Sequence, residues 1–136
     1  MTYAIKVEIR DLRARSFVFN AQKTMYGGKK ITAGDSIFVF ASENEGGPGL
    51  VAHGIVTSAR AVPLKPDIER QTPRVSITVE RRALAKRRLG RAELKQFDDW
   101  NDGQPQTELN FKFYRQATNK IVGISEETVA FLQGFF

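Results

Sequence analysis

The segment from Lys29 to Val62, KKITAGDSIFVFASENEGGPGLVAHGIVTSARAV, constrains the fold more than any other. Ser36 to Ala41 is an almost unbroken run of Ile, Phe and Val. It is too short for a buried helix and suits a strand covered on both faces. Lys29 to Asp35 reads as the turn before it. Ser42 to Gly49 holds three glycines, a proline and an asparagine, so it is a loop. Leu50 to Val62 is a second long strand, and Gly54 in its middle marks a bulge or a sharp bend. A bent apolar hairpin with so long a loop belongs to a small β-barrel with a binding loop at its rim.

The flanking chain supplies more strands. Tyr3, Ile5, Val7 and Ile9 alternate with Ala4, Lys6, Glu8 and Arg10, the pattern of a strand with one face on a core. Ser16 to Phe19 is a second strand, and Asn20 to Gly28 reads as irregular. Pro63 and Pro66 end the hairpin, and Lys65 to Thr72 is a polar connection. Pro73 to Arg81 alternates cleanly, with Val75, Ile77 and Val79 inward. Ala92 to Phe97 reads as a helix capped by Gly90, with Leu94 and Phe97 on the core side. Asp98 to Gln106 is a polar loop holding the only tryptophan, Trp100. Glu108 to Arg115 alternates again, which predicts a strand with Leu109, Phe111 and Phe113 inward. Lys120 to Ile124 is short and apolar. Ser125 caps a last helix, with Glu126 and Glu127 in its first turn, Ile124 stapling to Val129, and Phe131 and Phe135 on one face.

The expected fold class is α+β: a mixed barrel of six or seven strands with two or three short flanking helices. Closure removes the exposed edges that so many strands would otherwise leave. At 136 residues the chain is expected to form a single domain, residues 1–136. It has no cysteine, which excludes disulfides and thiolate metal sites. The charged, alternating N-terminus reads as a strand and not as a signal peptide. No run approaches the ~20 apolar residues of a membrane span. A cytoplasmic location is the expectation, with no membrane partner.

The hairpin resembles that of the PUA-like superfamily, which includes the PUA, ASCH, EVE and YTH domains. The residues that carry the resemblance are GDSIFVFAS and, after the loop, LVAHGIV. They give the Gly-Asp turn at Gly34-Asp35, the apolar strand Ile37 to Phe40 and the small-residue strand Val51 to Val56. The EVE branch fits best in size and in the loop after the Gly-Asp strand. The chain departs from the ASCH branch, because no Gly-x-Lys joins closely to a Glu-x-Arg. The superfamily implies RNA or DNA binding. Its EVE and YTH branches imply recognition of a modified base in an aromatic pocket.

Residue chemistry gives candidates for these roles. The net charge of +6 favours a polyanionic partner. Arg81, Arg82, Lys86, Arg87, Arg88 and Arg91 place six cations in eleven residues. They either contact phosphates or form a solvated face. Extruded bases stack on aromatic rings, which selects Tyr26, Phe38, Phe40, Trp100 and Tyr114. Phe38 and Phe40 share a face of one strand, so some of these rings are core. Ser42 and Asn44 follow that strand, and an Asn amide offers a base edge both donor and acceptor. The expected base pocket is therefore Tyr26, Phe40, Ser42, Asn44 and Trp100. His53, the only histidine, is the sole acid–base candidate, although a strand histidine is more often a packed residue. Without a second histidine or a cysteine, no metal site is expected, and no cofactor. The first reading is a nucleic-acid-binding module, with a modified base as its finer form. An enzyme of the same fold acting on RNA or a nucleotide, and a small-ligand or protein-binding module, stay open as alternatives.

Overall fold

The computed structural model describes residues 1–136. Six strands close into a barrel: β1 (Thr2–Val7), β2 (Ser16–Met25), β3 (Ser36–Ala41), β4 (Gly49–Ala61), β5 (Arg74–Leu84) and β6 (Lys120–Gly123). The order around the barrel is β1-β3-β4-β5-β2-β6. The β1–β3 and β2–β6 pairs are parallel, and the other four are antiparallel. Three short helices flank it: α1 (Arg91–Leu94), α2 (Pro105–Leu109) and α3 (Glu126–Gln133). None is long and apolar enough to cross a membrane. The barrel is the expected one, with six strands and three helices.

Two apolar clusters flank the sheet. Tyr3, Ile5, Ile37, Val39, Val56, Val75, Ile77 and Val79 fill the barrel. Ala4, Phe38, Phe40, Leu50 and Val122 point outward and are covered by Leu94, Leu109, Phe113, Leu132 and Phe135 from the helical layer. This explains the unbroken apolar run of β3: its residues feed both clusters in alternation. β1 is buried on both sides as well, although its sequence alternates. It sits between β3 and β6, beneath the helical layer.

The bulge marked by Gly54 is present. The β4–β5 register shifts between His53 and Gly54. A Cβ at Gly54 would lie 2.6 Å from both the Glu80 carbonyl oxygen and Val79 Cγ1. Only glycine lets the two backbones approach so closely.

Two elements differ from the sequence reading. Residues 105–114 are helical, not a strand: Pro105 opens α2 at its first turn, and Asn110–Tyr114 continues it as a π-helical turn. Leu109 and Phe113 are fully buried, and Phe111 is only half-buried. Leu109 and Phe113 are four apart, so one helical face accounts for them as well as an alternating strand would. Asn20 to Met25 is not irregular. β2 runs through it by means of a bulge at Ala21, whose φ is +48° and whose N–H donates to Ser76 Oγ.

The last helix follows its sequence signals. Ser125 Oγ accepts from the Thr128 N–H at 3.2 Å, and Ile124 and Val129 lie in the same outer cluster. The Phe131 and Phe135 ring centroids are 5.2 Å apart.

Candidate functional site

The loop after β3 ends against a polar corner inside the outer cluster. Lys6 on β1 and Lys120 on β6 face each other in the antiparallel ladder, and both are buried. Lys6 Nζ donates to the Phe113 carbonyl at 2.7 Å and lies 5.1 Å from the Tyr114 ring centroid. Lys120 Nζ reaches the Gln116 and Thr118 carbonyls at 3.3 and 3.4 Å. The Tyr114 hydroxyl donates to Glu43 Oε1 at 3.0 Å. The other oxygen of Glu43 accepts from the Arg91 N–H at 2.6 Å, and the Arg91 guanidinium donates to Asn44 Oδ1 at 2.7 Å. Ser42 is 1% exposed, and its Oγ has no hydrogen-bond partner.

The loop holds this shape because it leans on the chain before α1. Gly49, at φ +90°, brings the backbone against the Leu89 carbonyl, where a Cβ would collide. The Leu50 N–H donates to the same carbonyl at 2.8 Å. The Ser42 carbonyl accepts from the Gly47 N–H, while the Ser42 N–H donates to the Val7 carbonyl.

Burial dominates the electrostatics here. It lowers the Lys6 amine to about 8, helped by the like charge of Lys120 and opposed by Glu43. Burial also lowers Lys120, with Lys23 adding to it. The Tyr114 hydroxyl is pushed up by burial, by the Glu43 charge and by its hydrogen bond to Glu43. The corner therefore holds two amines short of solvent, with the Ser42 hydroxyl, which bonds no protein group, at the start of the same loop. Such groups gain more than surface groups do when an acceptor reaches them.

The pocket residues expected from the sequence fall in two places. Ser42 and Asn44 belong to the corner. Phe40 is fully buried in the outer cluster, 5.2 Å from the Phe113 ring, and cannot offer a free face. Trp100 and Tyr26 both pack edge-on against Phe111, at 5.5 and 6.1 Å, and neither makes a hydrogen bond to Lys6, Ser42, Asn44, Tyr114 or Lys120. Trp100 is 41% exposed and borders a cavity of about 490 Å³ with Gln104, Thr107, Glu108, Ser125 and Glu127. So Trp100 does border a concavity, but Phe40, Ser42 and Asn44 do not line it. Burial pushes the Glu108 carboxyl up, yet hydrogen bonds from Ser125, Lys112 and Thr128 outweigh it and hold the group below its ordinary value. Glu108 thus anchors the start of α3.

The basic run does not form one face. Arg81 and Arg82 lie on β5, which extends to Leu84. Arg82 pairs with Glu80 and Arg88 with Glu93, at 3.4 and 3.8 Å. Arg87 donates to the Gly134 carbonyl at 2.8 Å and covers the Phe135 ring. The Lys86 N–H donates to the Phe135 carbonyl, while Arg91 belongs to the corner. His53 Nε2 lies 2.6 Å from Ser36 Oγ, and its ring contacts Phe38 and Phe136. Burial, then the Arg82 charge, lowers it, which keeps the imidazole neutral.

Lys6 and Lys120 had no signal in the sequence as parts of a site. Lys6 stands on the polar side of an alternating strand, where a lysine ordinarily faces water. Tyr114 was legible as an aromatic candidate, but only the helical turn brings it over Lys6.

Several solved structures share this architecture. The DUF55 domain of human thymocyte nuclear protein 1 is 15% identical, with a TM-score of 0.65; the match covers 98% of this chain and 97% of that one. Human THYN1, solved in complex with 5-methylcytosine-containing DNA, is 17% identical with a TM-score of 0.66, covering 98% and 95%. A Pseudomonas putida protein is 15% identical with a TM-score of 0.66, covering 99% of both chains. No family model and no curated protein matches the chain. The likeness is one of fold: the same PUA-like barrel, over nearly the whole chain.

Proposed function

We propose that this domain binds nucleic acid and holds a base at the corner formed by Lys6, Ser42, Asn44, Tyr114 and Lys120. The observation that carries the reading is the pair of buried amines, Lys6 and Lys120, with a buried hydroxyl that bonds no protein group, Ser42, two residues beyond Phe40, the β3 partner of Lys6. A buried hydroxyl with no protein partner can take one from a ligand; Thr107 Oγ1, in the lining of the Trp100 cavity, is likewise without a protein partner. Carbonyl oxygens and ring nitrogens of a base are suitable acceptors for an amine and a hydroxyl. The Trp100 cavity suits a polyanion less, because Glu108 and Glu127 line it. The shared fold of a protein crystallised with 5-methylcytosine DNA supports the same class of ligand, and a modified cytosine is its finer form.

Titration with labelled DNA and RNA, with and without 5-methylcytosine, at two salt concentrations tests this. Binding that weakens with salt and differs between modified and unmodified strands is the expected result. Absence of binding to any of these strands at low salt would overturn it and leave the small-ligand or protein-binding alternative.

A further inference from the structure

A second cationic surface lies outside the run that the sequence singles out. Lys23 on β2, Arg74 at the start of β5, and Lys65 and Arg70 in the β4–β5 connection line a cavity of about 250 Å³. Lys23 and Arg74 also line an adjoining cavity of about 390 Å³, whose far wall is Thr118 and Asn119. The two adjoin along Lys23 and Arg74, and together they are termed the trough. It starts in the β4–β5 connection and ends at the segment that covers Lys120. No carboxylate lines either cavity. Asp67 and Glu69 belong to the same connection but stay out of the lining. None of the four cations takes part in an ion pair, whereas Arg82 and Arg88 of the basic run do. Only Arg74 is held by the protein, through its bond to the Ala21 carbonyl at 2.7 Å.

We infer that this trough carries the phosphate backbone of a nucleic acid to the polar corner, an inference that rests on the nucleic-acid reading above. Four cations without counter-ions leave the trough short of negative charge, which a row of phosphates supplies. The Thr72 and Thr118 hydroxyls in the lining offer neutral hydrogen bonds of the kind that fix backbone register, while Gln71 and Asn119 are already bonded within the protein. Its concave shape fits a strand. A lipid surface is flat and would meet only the rim, even though Leu64 and Ile68 are exposed there. The trough also ends beside Lys120, so a backbone lying in it arrives at the corner where the base would be held. The field of Lys23 reaches the Lys120 amine, which fits that continuity.

The test compares wild type with the triple variant Lys23→Gln, Lys65→Gln, Arg70→Gln and with the pair Arg87→Ala, Arg88→Ala. Each is titrated with a short labelled DNA duplex and its single strand over a salt series. The single reversal Lys65→Glu, at an exposed loop position, guards against a folding defect in the triple. The triple is expected to lose at least tenfold in affinity at low salt. Its salt slope should fall by about 0.7–0.9 for each phosphate contact removed. The Arg87/Arg88 pair should lose less, and Lys65→Glu should weaken binding with an unchanged melting temperature. If wild type binds and the triple and Lys65→Glu bind equally well, the trough is overturned while the nucleic-acid reading stands. If wild type binds neither strand, both fall. Binding of anionic vesicles in place of DNA, lost in the triple, would overturn the inference in favour of a membrane surface.

Discussion

Lys6 and Lys120 stand directly opposite each other on β1 and β6, both buried, without a carboxylate bonded to either amine. Their charges are balanced only by carbonyl oxygens and, at longer range, by Glu43 and Glu45 acting on Lys6. A fold that keeps two amines in this state gives up stability at neutral pH.

That cost sets a pH dependence. The Lys6 amine lies at about 8 in the folded protein and near 10.5 when exposed. Between those values the unfolded chain binds more protons, so stability rises with pH across the window. The Lys6 contribution is at most about 3 kcal/mol, and Lys120 adds in the same direction. Denaturant unfolding from pH 7 to 10 is expected to show this rise, and Lys6→Met should flatten it. An equally steep rise in the variant would place its source elsewhere.

Gly54→Ala is expected to destabilise the barrel by about 2–4 kcal/mol, because the new methyl group meets the Glu80 carbonyl and the stiff, buried Val79 side chain. Chemical denaturation measures it. A loss below ~1 kcal/mol would mean that β4 and β5 can separate there at little cost.

Trp100→Ala separates the two places where aromatic chemistry and polar chemistry lie. Trp100 is partly exposed and makes an edge contact with Phe111. Its loss should lower stability by about 0.5–1.5 kcal/mol, the worth of such an aromatic pair. Affinity for DNA should stay within about twofold, since Trp100 is not part of the corner. A large loss of affinity with intact folding would move the base site to the Trp100 cavity.

The parts of the fold legible in the sequence are those where local and tertiary demands agree. The β3 run, the Gly54 bulge, the β5 alternation and the Ser125 cap each have one physical solution. The segment 108–115 has two, because Leu109, Phe111 and Phe113 suit a strand and Leu109 with Phe113 suits a helix. Pro105, pre-set for a helix start, agrees with the second. β2 beyond Ala21 was hidden because its bulge depends on Ser76, far away in the chain. The Gly34-Asp35 hairpin carried the fold resemblance, and Ser42 and Asn44 were legible as loop residues beside it. The corner itself was not legible: alternation on β1 assigns Lys6 to water, and only the π-helical turn at 110–114 covers it.

Ser42→Ala separates a hydroxyl that serves a bound base from one that serves only the fold. Its Oγ bonds no protein group, so removing it strands no protein partner; the fold should be unchanged or slightly more stable, within about 1 kcal/mol. If that hydroxyl is kept open for a base, the same change should weaken DNA binding about five- to thirtyfold, the loss of one hydrogen bond to a bound ligand. The measurement is the affinity of wild type and Ser42→Ala for the same labelled oligonucleotide at one salt concentration, with the melting temperature as the control. Lower affinity at an unchanged melting temperature is the expected result. Equal affinity in both proteins would contradict it.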